Sequence, residues 1–152
     1  MKWNATDVEL YITAKEYVDT ALVPLIPISF DDRMKQLSSM SEFLSILSTE
    51  IEKKFKGRIL LIPTFHYVMD DEKKVEGLQI WERKLRQSEF SHIFFLTSDI
   101  NWKKEESYLS SSLVWIPAIN LESLPMEQAR EVMKQQVEQI ISVFMNEWKK
   151  GG

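Results

Sequence analysis

The chain contains no cysteine, so disulfides, thiol nucleophiles and thiolate metal ligands are excluded. Glycine is also scarce, because only positions 57, 77, 151 and 152 carry it. None of these glycines flanks a strand-end serine or belongs to a glycine-rich phosphate loop, which argues against a G-x-S-x-G hydrolase and against a dinucleotide cofactor. We therefore predict a protein without a cofactor.

Long apolar runs and a basic surface are missing as well. No run approaches the roughly 20 residues that a membrane helix needs, and residues 1–7 lack the apolar centre of a signal peptide. The net charge is −4, the sequence pI is about 5.3, and no basic stripe stands out. We expect a cytoplasmic protein that contacts neither a membrane nor a nucleic acid. The two histidines, His66 and His92, lie 26 positions apart without further ligand spacing, so zinc is weakly supported.

Four apolar runs predict buried strands, and three of them end in an Ile-Pro pair. The first run also contains two prolines, Pro24 and Pro27, which cannot donate hydrogen bonds to a neighbouring strand. We therefore expect the first strand to lie at an edge, to contain a bulge, or to be shorter than the run. The predicted strands cover residues 21–28, 58–65, 91–98 and 113–119.

Segments with helical periodicity separate these runs. The capping pair Thr6 and Glu9 predicts a first helix that starts near Asp7. Apolar residues then recur every three or four positions in later segments, and among them Leu44 and Ile140 are expected to pack against the sheet. These later helices are predicted over about residues 33–55, about 71–87, and 125–150, with Pro125 at the first position of the last one.

The alternation of buried strands and amphipathic helices predicts an α/β protein. We expect one domain over residues 1–152, built in three layers from a mostly parallel four-stranded sheet with helices on both faces. The flavodoxin-like strand order 2-1-3-4 is preferred among the topologies that right-handed crossovers allow.

The N-terminal part of the chain carries a family resemblance. Its Met1-Lys2-Trp3 start, Asp7, the AKEYVDT block at 14–20 and the VPLIPI block at 23–28 resemble the YpiF-like proteins of Bacillus and its relatives. That family is known as domain of unknown function 2487, and its members have about the length of this chain. The resemblance implies a bacterial cytoplasmic protein from a spore-forming lineage. It implies no activity and no catalytic residues.

Ligands of open α/β sheets bind beyond the carboxyl ends of the strands, an end of the sheet that we call the carboxyl edge. Polar and aromatic side chains follow all four predicted strands there, and we predict that they bind a ligand. They are Ser29, Asp31, Asp32, Arg33, His66, Tyr67, Ser98, Asp99, Trp102 and Asn120. In the preferred strand order, Asp31 lies between His66 and Asp99. The alternative interpretation is that the acids cap helices, that Ser98 stops a strand, and that His66 is simply exposed.

Two tryptophans, Trp3 and Trp102, have no periodic explanation. Exposed aromatic side chains mark recognition surfaces in many proteins. These two residues therefore either belong to such a surface or pack over a helix end.

Two functions fit these features. The leading hypothesis is a non-enzymatic binding or regulatory module that recognises an unknown protein partner or a small ligand at the carboxyl edge. The alternative is a small metal-assisted hydrolase or transferase built on Asp31, Asp32, Asp99 and His66. A receiver domain also pairs acids after its first strand, but it fits poorly because the sequence offers neither a fifth strand nor a late strand that ends in lysine. The missing glycine loops favour the leading hypothesis.

Overall fold

A computed structural model describes residues 1–151, which form four α-helices and five parallel strands. In chain order the elements are α1 Ala5–Thr13, β1 Thr20–Ile28, α2 Met34–Lys54, β2 Ile59–Leu61, β3 Phe65–Val68, α3 Lys74–Gln87, β4 His92–Thr97, β5 Ser112–Trp115 and α4 Met126–Gly151. Two 3-10 segments, Ile100–Tyr108 and Leu121–Ser123, complete the secondary structure of these residues.

The sheet is parallel throughout and runs in the order β2-β1-β4-β5, with β3 also paired to β1. The predicted α/β class, the parallel sheet and the order 2-1-3-4 are confirmed, with one extra strand. The extra strand arises because pairing with β1 is interrupted around Pro63 and resumes at Phe65 with the register shifted by one residue. β2 lies inside the predicted strand, whereas β3 begins at its predicted end, residue 65, and extends three residues beyond it; both pair with successive parts of β1.

The strand β1 lies in the centre of the sheet, so the expectation of an edge position was wrong. Its prolines are tolerated because backbone groups of alternate residues point to opposite sides. Leu22 accepts a hydrogen bond from the Ile62 amide at 2.9 Å, so Pro24 faces that same side, where the break between β2 and β3 leaves no partner. Pro27 faces β4, whose pairing with β1 has already ended at Leu25.

Two apolar clusters, one on each face, hold the helices to the sheet. α2 and α4 cover one face, where Leu44 and Ile140 share a cluster, so their predicted burial is confirmed. In that cluster the rings of Phe94 and Phe144 stack with centroids 3.9 Å apart. α1, α3 and the first 3-10 segment cover the opposite face. Burial on both faces explains the nearly continuous apolar runs of the central strands.

Several predicted element ends move by a few residues. α1 begins at Ala5 because the side chain of Asn4, rather than that of Thr6, caps it and accepts from the Asp7 amide at 2.8 Å. β5 ends at Trp115, four residues before the predicted end at 119 and just before Pro117. No helix within residues 1–151 is both long and apolar enough to cross a membrane.

Candidate functional site

The loop after β1 is fixed by a group of charged and polar side chains that we call the loop clamp: Ser29, Asp31, Arg33 and Asp70. The Ser29 hydroxyl donates to Asp31 Oδ1 at 2.6 Å, and the Arg33 backbone N–H donates to the same oxygen at 2.9 Å. The Arg33 guanidinium donates to both carboxylate oxygens of Asp31 and, through Nη1, to Asp70 at 3.1 Å. The clamp therefore ties the loop after β1 to the loop after β3.

Hydrogen bonds within the loop clamp favour the charged forms of Asp31 and Arg33. The Arg33 guanidinium, together with the Ser29 hydroxyl and the Arg33 backbone N–H, lowers the pKa of Asp31 far below its ordinary value. Hydrogen bonds to Asp31 and Asp70 in turn raise the pKa of Arg33. Asp70 adopts a left-handed backbone with φ of 69°, a conformation that aspartate tolerates better than most residues. Asp31 thus has its carboxylate engaged by its own loop.

A second group of side chains, the tyrosine network, joins β3 to the segment that follows β4. It consists of Tyr67, Asp99 and Trp102, all of them buried. The Tyr67 hydroxyl donates to Asp99 Oδ2 at 2.6 Å and accepts from Trp102 Nε1 at 2.8 Å. The Lys74 ammonium lies 4.5 Å from the centre of the Trp102 ring. The network spans the end of β1 and leaves Trp102 fully buried, so this tryptophan packs inside the protein and forms no exposed surface.

Burial and the neighbouring Asp99 carboxylate raise the pKa of the Tyr67 phenol well above its ordinary value of 10.0. The folded state therefore holds this proton more tightly than the unfolded state does. The resulting stability is complete below pH ~10 and is lost as the pH rises above that value, where only the unfolded phenol ionises.

Replacing Tyr67 by phenylalanine should remove this alkaline loss. Above pH ~10, the free energy of unfolding of the unmodified chain should fall more steeply than that of Tyr67→Phe, by up to about 1.4 kcal/mol per pH unit. Urea unfolding at several alkaline pH values measures both slopes, and Tyr108→Phe removes an exposed phenol as a matched control. Parallel curves for the Tyr67 variant and the unmodified chain would show that the phenol is not held in this way.

His66 does not follow a strand as predicted, because β3 continues through it to Val68. Its side chain is exposed, and its Nδ1 lies 3.0 Å from the Thr64 hydroxyl. Sequence reasoning placed His66 beyond the end of a strand because it expected the strand to stop at residue 65. The residues that do follow β3 at the carboxyl edge include Asp70 of the loop clamp.

Of the remaining predicted site residues, Asp32 and Asn120 line a cleft and Ser98 is buried. Asp32 and Asn120 line a cleft of about 450 Å³ between the start of α2 and the loop after β5. In that cleft the Asn120 amide nitrogen faces the Glu122 carboxylate and donates to it. Ser98 is buried, and among residues 1–151 its hydroxyl has no hydrogen-bond partner, while its carbonyl accepts from Trp115 Nε1 at 3.3 Å.

The structure does not assemble the four side chains of the alternative hypothesis into a metal site. Within residues 1–151, no three His, Asp or Glu side chains come together in a way that could hold a metal ion. Asp31 belongs to the loop clamp, and Asp99 accepts from the buried Tyr67. His66 bonds to Thr64, and Asp32 faces the separate cleft.

Sequence reasoning missed the apolar residues of the carboxyl edge, which we call the edge patch: Phe30, Met34, Val68 and Ile100. Each of them is exposed, by 78%, 52%, 51% and 58% respectively. Phe30 and Met34 line one groove of about 410 Å³ between the end of β1 and α2. Val68 is the register partner of Ile28, which lies in the same groove. A phenylalanine within a short polar loop was the available signal for this patch.

These features define a class of protein: a three-layer α/β protein whose parallel sheet carries a clamped, partly apolar carboxyl edge. A family model described as "Protein of unknown function (DUF2487)" matches residues 9–148. The Bacillus subtilis (strain 168) protein described as "Uncharacterized protein YpiF" is 34% identical over 148 residues, which cover 97% of this chain and 98% of that protein. The chain therefore belongs to the DUF2487 family, as its N-terminal residues indicated. No solved structure matches it.

Proposed function

We propose that this chain is a non-enzymatic binding module that recognises a protein partner through the edge patch. The observation that carries the proposal is the position of Phe30, which is 78% exposed on a loop that the clamp holds rigid. The Ser29 and Asp31 side chains on either side of Phe30 bond to each other at 2.6 Å, which constrains the backbone that carries the exposed ring. A large apolar side chain held outward in this way is a preorganised contact for a partner.

The surroundings of Phe30 support a surface rather than a single exposed ring. Met34 is the first residue of α2 and lines the same groove as Phe30. Val68 extends this apolar area across β1 to β3, and Ile100 begins the segment after β4. Phe30, Met34 and the neighbouring Val68 thus form an apolar area with polar groups at its rim, which is typical of protein-binding sites.

A protein partner fits this edge better than a small ligand does. Small ligands of open α/β sheets occupy crevices beyond the strand ends. On the α3 face of this edge, the fully buried Trp102 ring and the Tyr67–Asp99 pair fill the space beside the end of β1. The surface left around Phe30 is open and apolar. A cytoplasmic location and the lack of nucleic-acid and membrane partners stay predictions from the sequence.

Photo-crosslinking in living cells tests the proposal. Phe30 is replaced by the photoreactive residue p-benzoylphenylalanine, and Tyr17 is replaced in the same way in a control chain. Both native side chains are exposed aromatics, by 78% and 69%, but Tyr17 lies before the amino end of β1. We expect a crosslinked product of one defined mass from position 30 and none of that mass from position 17.

A second change shows whether such a product depends on the edge patch. Adding Met34→Glu to the position-30 chain should abolish the product, because a charge would enter the apolar contact. Since Met34 is half exposed, this substitution should change the free energy of unfolding by no more than about 0.5 kcal/mol. Equal products from positions 30 and 17, or a product that persists with Met34→Glu, would contradict the proposal.

A further inference from the structure

We infer that the partner binds as an extended strand added to the open side of β3, a mode of recognition that rests on the proposed function of the edge patch. β3 pairs with β1 alone. The Met69 amide donates to the Ile28 carbonyl at 2.8 Å, so the residues of β3 that alternate with Met69 direct their backbone groups away from β1. These are His66 and Val68, and their amides find no hydrogen-bond acceptor within residues 1–151. The Val68 carbonyl accepts from the Asp71 amide at 3.0 Å, so the groups open to a partner are these two amides and the His66 carbonyl.

On the neighbouring strand β2, an outward backbone amide is paired within the chain. Leu61 of β2 also directs its amide away from β1, and this amide donates to the Met1 carbonyl at 2.8 Å. The outer side of the sheet is therefore closed along β2 and open along β3. Unpaired backbone groups on an edge strand are a template for an incoming strand, which adds to the sheet by main-chain hydrogen bonds.

Side chains beside this open side are suited to such a strand. His66 and Val68 are register partners of Ile26 and Ile28 and point to the α2 face, where both are exposed. An added strand would run about 4.8 Å from β3. Alternate side chains of that strand would then lie beside Val68, and a long apolar one would reach the groove next to Phe30. Main-chain pairing and a side-chain groove thus occur together.

The charges around the groove indicate the composition of the strand. Glu42 lines the groove, and two exposed acids outside the loop clamp, Asp71 and Glu72, follow β3, with Lys73 as the next residue. Arg33 contributes little free positive charge because it is paired with Asp31 and Asp70. The occupant we infer is an extended segment of another protein that carries an apolar residue flanked by lysine or arginine.

A library of linear random peptides displayed on phage, selected on the complete chain, provides the probe. The selected peptide is synthesised, and its affinity is measured for the unmodified chain, Val68→Pro, Val68→Ala and Phe30→Glu. Val68→Pro deletes the outward amide and no hydrogen bond to β1, so its melting temperature should stay close to that of the unmodified chain. We expect selected peptides with apolar residues next to basic ones, and affinity losses of about tenfold or more for Val68→Pro and Phe30→Glu. Val68→Ala keeps the amide and should lose less.

A modified peptide tests the same pairing on an unmodified protein. Backbone N-methylation of every second residue in one register should abolish binding, and N-methylation in the other register should preserve it, because a strand presents alternate amides to its neighbour. Equal effects in both registers would overturn strand addition, and so would a Val68→Pro chain that binds like the unmodified one.

The outcomes separate this inference from the proposed function. Loss of binding in Phe30→Glu with full binding in Val68→Pro would leave the edge patch as the docking site and would overturn strand addition. Unchanged binding in both variants, or a selection that yields no binding peptide, would count against both. Self-association of the chain that Val68→Pro abolishes would identify a second copy as the occupant and would overturn the inferred basic segment.

Discussion

Replacing Trp102 by alanine should lower the free energy of unfolding by about 3–5 kcal/mol. The indole is fully buried, packs edge-to-face on Tyr67 with ring centroids 5.4 Å apart, and donates to the Tyr67 hydroxyl. Alanine would leave a large cavity and remove the donor from a buried hydroxyl. Because Trp102 is the buried anchor of the segment Ile100–Tyr108, that segment should also lose its fixed position over the sheet. Urea unfolding, followed by far-ultraviolet circular dichroism, measures the change.

Two further substitutions serve as comparisons for Trp102→Ala. Trp102→Phe retains most of the ring volume and loses the N–H, so its cost should fall between zero and that of alanine. Trp3→Ala removes a tryptophan that is 59% exposed and should change the free energy of unfolding by no more than about 0.5 kcal/mol. Equal stabilities for Trp102→Ala and Trp3→Ala would mean that the tyrosine network is not packed as described.

Alanine at Leu44 or at Ile140 should each cost about 2–5 kcal/mol of stability. Both side chains are at least 97% buried in the cluster that joins α2 and α4 to the sheet. Ile46 lies on α2 as well but is 45% exposed, so Ile46→Ala is the matched control and should cost less than about 1 kcal/mol. Chemical denaturation of the three variants measures these differences. A melting temperature that is unchanged by Leu44→Ala or Ile140→Ala would show that the helix faces are assigned wrongly.

Most of the fold follows from local patterns in the sequence. Continuous apolar runs predict strands that are buried on both faces of the sheet. Apolar residues at every third or fourth position predict helices that are buried on one face. The break at Pro63 was harder to predict, although its signal is present. Pro63 is that signal, because proline interrupts strand pairing. The burial of residues 65–68 alternates in the structure, but their sequence does not, since Val68 is apolar and exposed.

The site was less predictable because it depends on distances between elements. Parallel strands bring Asp31 and Asp99 to one edge, as the sequence indicated. No local sequence pattern shows that the Tyr67 hydroxyl lies 2.6 Å from Asp99 Oδ2. The link from Arg33 to Asp70 joins residues 37 positions apart and is set by the pairing of β3 with β1. The edge patch was missed because its members are separated in sequence and each one alone is an ordinary exposed residue.

A second apolar surface, which competes with the edge patch as a docking site, lies on the face of the sheet that α2 and α4 cover. A groove of about 540 Å³ runs between α2 and α4 and is lined by apolar residues that include Ile46 and Met126. Met126 is 70% exposed, so it reports on that groove as Met34 reports on the edge patch. The two surfaces can therefore be compared within one sample.

The methionine methyl spectrum provides the most direct measurement. The chain is labelled with ¹³C at its methionine methyl groups, and spectra are recorded as unlabelled Bacillus subtilis extract is added. Binding through the edge patch predicts that the Met34 signal shifts or broadens, while those of Met126 and Met145 keep their positions and widths. The Phe30→Glu chain should show no change at Met34. A selective change at Met126, or a Met34 response that survives Phe30→Glu, would contradict recognition through the edge patch.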